Sequence, residues 1–293
     1  SIGGARAKGG GLPTVVDVGE LIGEMRMIKD EYEIQAQRQA CAISAAGHVA
    51  GFKKCKPGMR EYELQAEIEY VFKKMGSERV SYSTIVASGA NAAVYHYLQN
   101  DQVMTDGQLV LVDAGAEFDH YCGDITRTYP VGGRFSPAQR KLYDAVLQVQ
   151  KKCIENTKPG VTLKGLHDEV LEGLVDSLIE FGILKGERSE IIENKKFMKN
   201  YGHSTSHWLG LEGHDAGFYL INGEPRKLEP GVVFTIEPGL YVPVDDLDAP
   251  KEFRGIGIRI EDDILVTAKG CENLTEKAPK EINELESLLG KSV

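Results

Sequence analysis

Hydrophobic residues recur along this chain at two spacings, and the longer spacing marks its helices. Apolar positions three or four residues apart predict amphipathic helices over residues 29–54 and 59–76. A capping-box sequence begins a third helix over 136–155, and the same spacing continues over 162–181. A short helix follows Pro279 near the end of the sequence.

Apolar and polar positions alternate with a period of two in the stretches between these helices, which predicts strands. The strands lie at 82–87, 108–113, 124–129, 232–237 and 258–261, with loops at 224–225 and 245–250. This order of elements predicts an α+β fold in which two halves share a sheet, rather than a βαβ wind. No internal sequence repeat is strong enough to prove symmetry between the halves.

The composition is that of a globular protein and argues against several classes. With 293 residues, 42% of them hydrophobic, the chain is long enough to bury a substantial core. A net charge of -10 without a basic patch argues against nucleic-acid binding. Five scattered cysteines without a C-x-x-C pair indicate neither a disulfide framework nor a zinc ribbon. These features are typical of a protein of the reducing cytoplasm.

The N-terminal segment, and motifs that the sequence lacks, lead to further expectations. Residues 1–13 form a glycine-rich segment that we expect to be flexible, and one domain is predicted over 14–293. The N-terminus has no signal-peptide core, and no apolar stretch reaches the roughly 18 residues of a membrane-spanning helix. No G-x-G-x-x-G or P-loop sequence supports nucleotide binding. We therefore expect no membrane contact.

Five residues that suit hard metal ions lie at or near the predicted strands. They are Asp113, Asp124, His207, Glu237 and Glu261. Four carboxylates converging in an apolar interior would repel one another unless divalent cations neutralised them. With one imidazole they suit two ions, Mn²⁺ being the first expectation and Co²⁺ or Zn²⁺ also suitable. Two such ions can share a water and lower its pKa, so the pattern predicts metal-assisted hydrolysis.

Each of these residues also has a purely structural interpretation when taken singly. Asp113 precedes a turn sequence, Glu237 precedes Pro-Gly, and Glu261 begins an acidic run that suits a solvated face. His96, between two tyrosines, can be a hydrogen-bonded core histidine. A second group favours function: three of the seven histidines lie within twelve residues, a density that structural use rarely needs. They are His203, His207 and His214.

Five ordered motifs carry a resemblance to a known family. They are Val112-Asp113-Ala114-Gly115, Gly123-Asp124-Ile125-Thr126-Arg127-Thr128, Ser206-His207-Trp208-Leu209-Gly210-Leu211, Thr235-Ile236-Glu237-Pro238-Gly239 and Gly257-Ile258-Arg259-Ile260-Glu261-Asp262-Asp263. From about residue 24 to 289 the chain resembles the pita-bread metallopeptidases (M24), within them the catalytic domain of bacterial Xaa-Pro aminopeptidases. The resemblance implies two pseudo-symmetric α/β halves around a curved, mostly antiparallel sheet.

The resemblance also implies a role for each proposed ligand. Asp113 would chelate one ion, Asp124 and Glu261 would bridge both, and His207 and Glu237 would complete the other. Glu237 would also hold or deprotonate the bridging water. The implied reaction is hydrolysis of the N-terminal Xaa-Pro bond of a peptide by a metal-bridging hydroxide.

Further residues take outer roles by the same resemblance. His214 would contact the scissile carbonyl or its oxyanion, His96 would line the leaving-group side, and His203 would lie near the penultimate proline. Arg259 and Tyr241 would support the metal ligands from behind. The implied partners are peptides with proline at the second position, and a homo-oligomer is allowed.

Alternatives remain open at this stage. A prolidase acting on Xaa-Pro dipeptides is the nearest rival within the fold, and a non-catalytic peptide-binding module is the rival outside enzymes. Methionine aminopeptidase and a metal-free creatinase-like hydrolase are less favoured, because the histidine motif resembles the proline-specific branch and all five ligands are present. One departure is that the family's N-terminal domain is not seen ahead of the catalytic one.

Overall fold

The computed structural model describes residues 17–289. The glycine-rich segment predicted over residues 1–13 lies outside these described residues. Within them, no helix is both long and apolar enough to cross a bilayer.

The helices begin where their capping residues predict. Asp30 and Glu33 form a reciprocal capping box at the start of the second helix, and Ser136 and Gln139 form one at the start of the fourth. The helices are α1 (Val18–Met27), α2 (Glu31–Lys54), α3 (Glu61–Lys74), α4 (Pro137–Asn156), α5 (Leu163–Glu180), α6 (Arg188–Glu193) and α7 (Ile282–Leu288). The sequence prediction missed α1 and α6.

The strands are short, and each strand pair in the described part of the chain is antiparallel. They are β1 (Ile85–Ser88), β2 (Leu109–Asp113), β3 (Glu117–Phe118), β4 (Tyr121–Cys122), β5 (Thr126–Pro130), β6 (Leu220–Ile221), β7 (Glu224–Pro225), β8 (Val233–Ile236), β9 (Gly239–Val242), β10 (Ile256–Arg259), β11 (Asp262–Val266) and β12 (Cys271–Asn273). The prediction of a loop at residues 224–225 is wrong, because these residues form β7 and pair with β6.

Two three-stranded sheets, one from each half of the chain, form the centre of the molecule. The first has the order β1-β2-β5 and the second β12-β11-β8, while β9 and β10 form a separate pair. A backbone hydrogen bond of 3.0 Å from Glu261 to the carbonyl of Thr126 joins the halves. The predicted α+β organisation in two halves is confirmed.

The helices cover these sheets and bury the core against them. Leu64, Ile68 and Phe72 form the apolar stripe of α3 and are fully or almost fully buried, as its spacing predicts. Opposite them, α2 presents Gly47, where an added Cβ would lie 2.2 Å from the Phe72 ring. Only a residue without a side chain permits this close approach of α2 and α3.

Candidate metal centre

The five predicted ligands line one cavity of about 830 Å³. They are Asp113, Asp124, His207, Glu237 and Glu261. Residues up to 148 positions apart in the chain therefore line a single pocket. The interpretation of each as a separate surface or turn residue is not supported.

Strand pairing in the first half explains how two of these acids meet. Asp113 is the last residue of β2 and pairs with Thr126 of β5, so Asp124, two residues earlier, arrives at the same end of the sheet. The connection between them contains the β3–β4 hairpin, as a turn-rich sequence favours. An added Cβ on Gly115 would lie 1.8 Å from the carbonyl oxygen of Gly123. The two ends of the connection touch there, which explains a glycine two residues after the first acid.

The second half delivers the other three ligands, two of them from strand ends. Asp262 pairs with Ile236, so the preceding Glu261 and the following Glu237 project from the same end of β11 and β8. Thr235 of β8 donates its N–H to the carbonyl of His207 at 2.9 Å, which holds the histidine segment along this strand. The predicted strands at 124–129 and 258–261 shift slightly, because both Asp124 and Glu261 lie just outside the paired residues.

The ring of His207 is oriented for ligation. Its Nδ1 atom lies 3.0 Å from the carbonyl oxygen of Trp208, which can only accept, so Nδ1 carries the proton. Its Nε2 atom then presents a lone pair, 3.5 Å from Asp124 Oδ2, 3.6 Å from Glu237 Oε1 and 4.0 Å from Glu261 Oε1. Burial, and then the nearby His214, lower the pKa of His207 to about 4. The imidazole is thus neutral at physiological pH, as a metal ligand must be.

The carboxylates of the cavity repel one another. Burial first, and then Asp113, raise the pKa of Asp124 well above its ordinary value. Burial and then Asp124 do the same for Glu261, and burial and then Glu261 for Glu237. Each of these groups is therefore short of positive charge in its surroundings.

This donor set fits divalent cations. Ligand atoms of Asp124, His207 and Glu261 lie within 4.8 Å of one another, and all three residues are buried. The separations of 3.5 to 4.0 Å around Nε2 are too long for direct hydrogen bonds, which fall at about 2.7–3.2 Å. Two ligand atoms that bind the same ion, each at a distance of about 2.0–2.2 Å, would be spaced in this way. Carboxylate oxygens with one imidazole suit Mn²⁺, Co²⁺ or Zn²⁺.

Arg259 lies behind the carboxylates, a position that the family resemblance implies for it. Its Nη2 donates to Asp113 Oδ2 at 2.6 Å, its Nη1 to the hydroxyl of Tyr241 at 3.1 Å, and its Nε to Thr126 Oγ1 at 3.0 Å. The Thr126 hydroxyl in turn donates to Glu261 Oε2 at 2.6 Å. One guanidinium thereby orients two of the proposed ligands, one directly and one through a threonine.

Tyr82 was missed by the sequence analysis, which saw only a strand residue. Its hydroxyl lies 2.7 Å from Asp113 Oδ1 and 2.5 Å from Asp124 Oδ1. Burial raises the pKa of Tyr82 well above its ordinary value, so the phenol keeps its proton and can donate a hydrogen bond to the carboxylates. No local sequence signal points to this contact. Tyr82 lies before β1, which begins at residue 85, and its two partners are 31 and 42 residues away in the chain.

The remaining histidines reach the same cavity. The ring of His214 lies 4.0 Å from that of His207, and the exposed His96 lines the same cavity together with Tyr95. His203 contacts the hydroxyl of Tyr241 through Nε2 at 2.9 Å, and burial, then Arg259, lower its pKa to about 3. All three predicted histidines therefore face the cavity, while Tyr241 lies behind its wall.

The chain matches the model of metallopeptidase family M24 over residues 35–268. The Xaa-Pro aminopeptidase of Escherichia coli strain K12 is 45% identical over 278 residues, which cover 94% of this chain and 62% of that protein. This chain thus spans less than two thirds of the length of that relative.

Solved structures show the same fold. The Pseudomonas aeruginosa aminopeptidase PepP matches with a TM-score of 0.94 and 40% identity, over 98% of this chain and 65% of that one. A zinc-substituted Escherichia coli aminopeptidase P in complex with product matches with a TM-score of 0.93 and 42% identity, over the same shares. The expected pita-bread fold is confirmed by these matches.

Proposed function

The chain belongs to metallopeptidase family M24, and from that membership we propose that it hydrolyses the bond between the first residue of a peptide and a proline at the second position. The observation that carries this proposal is the convergence of four carboxylates and one neutral imidazole on one cavity. The similarity to Xaa-Pro aminopeptidases supports the choice of substrate.

The proposed cofactor is a pair of divalent ions, with Mn²⁺ as our first choice. When bound, such ions supply an activated water and polarise the scissile carbonyl. Asp113 would hold one ion, Asp124 and Glu261 both, and His207 with Glu237 the other. The raised pKa values of three of these acids support this assignment, because neutralising cations are what their surroundings lack.

The chain's own groups then handle the proton and the developing charge. Glu237 would accept the proton of the attacking water on its carboxylate, which lies 3.6 Å from His207 Nε2. His214, beside the His207 ring, would donate a hydrogen bond to the carbonyl oxygen as negative charge develops there. The acidic ligands would attract the free α-amine of the substrate, which favours an exopeptidase.

An aromatic corner of the cavity suits the proline. The ring of Tyr95 lies 5.3 Å from that of His203 and 4.7 Å from that of Tyr241, in edge-to-face arrangements. Proline has no N–H to donate, so an apolar, aromatic surface can accept its ring without leaving a donor unpaired. His203 and His96 would line this leaving-group side.

A comparison of matched peptides tests the function. Purified protein with Mn²⁺ should cleave X-Pro-Y and release X, and should cleave X-Ala-Y and the dipeptide X-Pro far more slowly. Equal cleavage of X-Pro-Y and X-Ala-Y would refute the proline preference, and preference for the dipeptide would favour a prolidase. A sample that binds no divalent ion on dialysis against Mn²⁺ would instead favour a non-catalytic module.

A further inference from the structure

A buried carboxylate outside the metal centre holds together the two ends of a segment that lines part of the cavity. Glu61, the first residue of α3, is fully buried. Its Oε1 accepts from the N–H and the hydroxyl of Ser88, both at 2.7 Å, and from Asn91 Nδ2 at 3.4 Å. Its Oε2 accepts from the hydroxyl of Tyr97 at 2.8 Å and from the N–H of Gln102 at 3.0 Å.

These donors come from the two ends of one segment, residues 88–102. Ser88 ends β1 at one side, and Gln102 lies at the other, where its carbonyl also accepts from the N–H of Glu61 at 3.0 Å. One side chain therefore ties both ends of the segment to α3. Tying the ends removes conformations that the intervening residues would otherwise sample.

The part of this segment at residues 95–98 reaches the cavity. Tyr95, His96 and Leu98 line the cavity, and His96 and Leu98 are exposed. Tyr95 accepts a hydrogen bond from the N–H of Gly202 at 3.0 Å, which places its ring against His203. The position of this wall thus depends on its attachment at the ends, on this hydrogen bond, on the close approach of Ala92 to Gly257 and on the edge contact between the Tyr95 and Tyr241 rings.

We propose that Glu61 is a positioning residue that sets the leaving-group wall of the cavity through Tyr95 and His96. The proposal rests on the proposed function and adds to it a residue that touches neither substrate nor metal ligand. Since the five contacts of Glu61 reach none of the proposed ligands, its loss should weaken the hold on the peptide and leave metal affinity intact.

The variant Glu61→Gln tests this. Its amide oxygen can still accept from Ser88, but its NH₂ group would face the N–H of Gln102, which cannot accept. We expect KM for X-Pro-Y to rise about 10-fold, the lower end for loss of a supporting contact, with kcat within threefold and the Mn²⁺ dissociation constant within twofold. Amide hydrogen exchange should accelerate within 88–102 and stay unchanged in β2 and β5.

A matched control and a milder variant complete the experiment. Glu67→Gln, on the same helix with a side chain 42% exposed, should change none of these quantities. If Glu61→Gln does not fold, Tyr97→Phe removes one contact and should still raise KM, by about threefold. In a His96→Ala background, Glu61→Gln should raise KM clearly less than it does alone.

Two results would overturn the inference. One is an unchanged KM with unchanged exchange within 88–102, and the other is a loss of Mn²⁺ affinity that accounts for the loss of activity. Failure of the proposed function is a separate outcome, because the wild-type protein would then cleave no X-Pro peptide. In that case the exchange of 88–102 in Glu61→Gln still decides whether Glu61 fixes the wall.

Discussion

Glu261 and Asp262 are neighbours in the chain, yet their carboxyl groups lie in opposite electrostatic surroundings. Glu261 faces the cavity, where burial and then Asp124 raise its pKa well above the ordinary value. Asp262 faces the core. Burial would raise its pKa too, but Arg127 and Lys280 hold it below the ordinary value.

The cluster around Asp262 is internally complete. Its Oδ1 accepts from Arg127 Nη2 at 2.6 Å and from Thr275 Oγ1 at 2.9 Å. Its Oδ2 accepts from Gln150 Nε2 at 2.7 Å and from Lys280 Nζ at 2.5 Å. Two cations and two neutral donors thus satisfy one carboxylate, so this cluster needs nothing from outside the protein.

The difference separates a structural ionic cluster from a binding one. Four carboxylates line the cavity. Among the described residues, Arg259 is the cation that contacts them, and it does so by an ion pair with Asp113. A buried acid whose charge the protein balances can stay ionised without a ligand, whereas buried acids left unbalanced must take up protons or bind a cation. The two clusters also touch, because Arg127 Nη1 donates to the backbone carbonyl of Glu261 at 2.5 Å.

The largest effect should follow from removing one charge on the cavity side. Glu261→Gln should lose bound Mn²⁺ and reduce turnover by at least about 10³-fold, since several kcal/mol of metal stabilisation are lost. Metal content of the purified variant and the rate on X-Pro-Y measure this. Glu272→Gln, a half-exposed partner of Arg38, is the control. Normal metal content in Glu261→Gln would contradict the proposed ligation.

The matching change on the core side should act on folding. Asp262→Asn leaves the buried Arg127 and the partly buried Lys280 without their carboxylate partner and should lower the free energy of unfolding by about 3–5 kcal/mol. Chemical denaturation measures it, with Glu281→Gln as a surface ion-pair control that should cost less than about 1 kcal/mol. A variant with unchanged stability but no bound metal would show that the two clusters are not distinct.

A third change separates turnover from metal binding. His214→Ala should retain both ions and reduce kcat by roughly 10²–10³-fold, as for loss of one donor to a developing oxyanion. Steady-state kinetics with parallel metal analysis test this, and His120→Ala, whose side chain is 69% exposed, should behave as wild type. Full activity of His214→Ala would refute the assigned role.

The guanidinium behind the carboxylates should have a smaller effect. Arg259→Lys keeps the charge but cannot reach Asp113, Tyr241 and Thr126 together, so we expect a loss of about 10 to 100-fold in metal affinity or activity. Arg38→Lys, at a half-exposed pair with Glu272, serves as the control. Activity within twofold of wild type would show that charge alone suffices at this position.

The smallest effect concerns pH and the metal-free protein. A carboxyl group with a raised pKa binds its proton more tightly when folded, so its stabilising contribution is present at low pH and disappears as the pH rises through the folded value. Burial raises the pKa of Asp263 beside the site to about 8, and that of Glu261 also rises. Stability without metal should therefore fall between about pH 4 and 8, and Mn²⁺ should reduce this fall. Denaturation at several pH values tests the sign, and a rise would contradict it.

Much of the local structure could be predicted from the sequence because its causes are local. The capping box at Ser136 and Gln139 fixed the start of α4, and the stripe at Leu64 and Ile68 identified the buried face of α3. The helix α1 was missed although Val18, Leu21, Ile22 and Met25 have helical spacing, and the structure leaves these apolar residues exposed. The spacing of apolar residues can thus predict a helix without showing whether its apolar face is buried.

The sequence by itself also determined which acids and histidines are candidate ligands, because short motifs and predicted strand ends can be recognised from neighbouring residues in the chain. Only the tertiary structure decided that Tyr82 joins Asp113 to Asp124 and that Asp262, next to a proposed ligand, is balanced by Arg127 and Lys280. Charge balance depends on distances in space between residues far apart in the chain, and these distances exist only once the two halves have packed together.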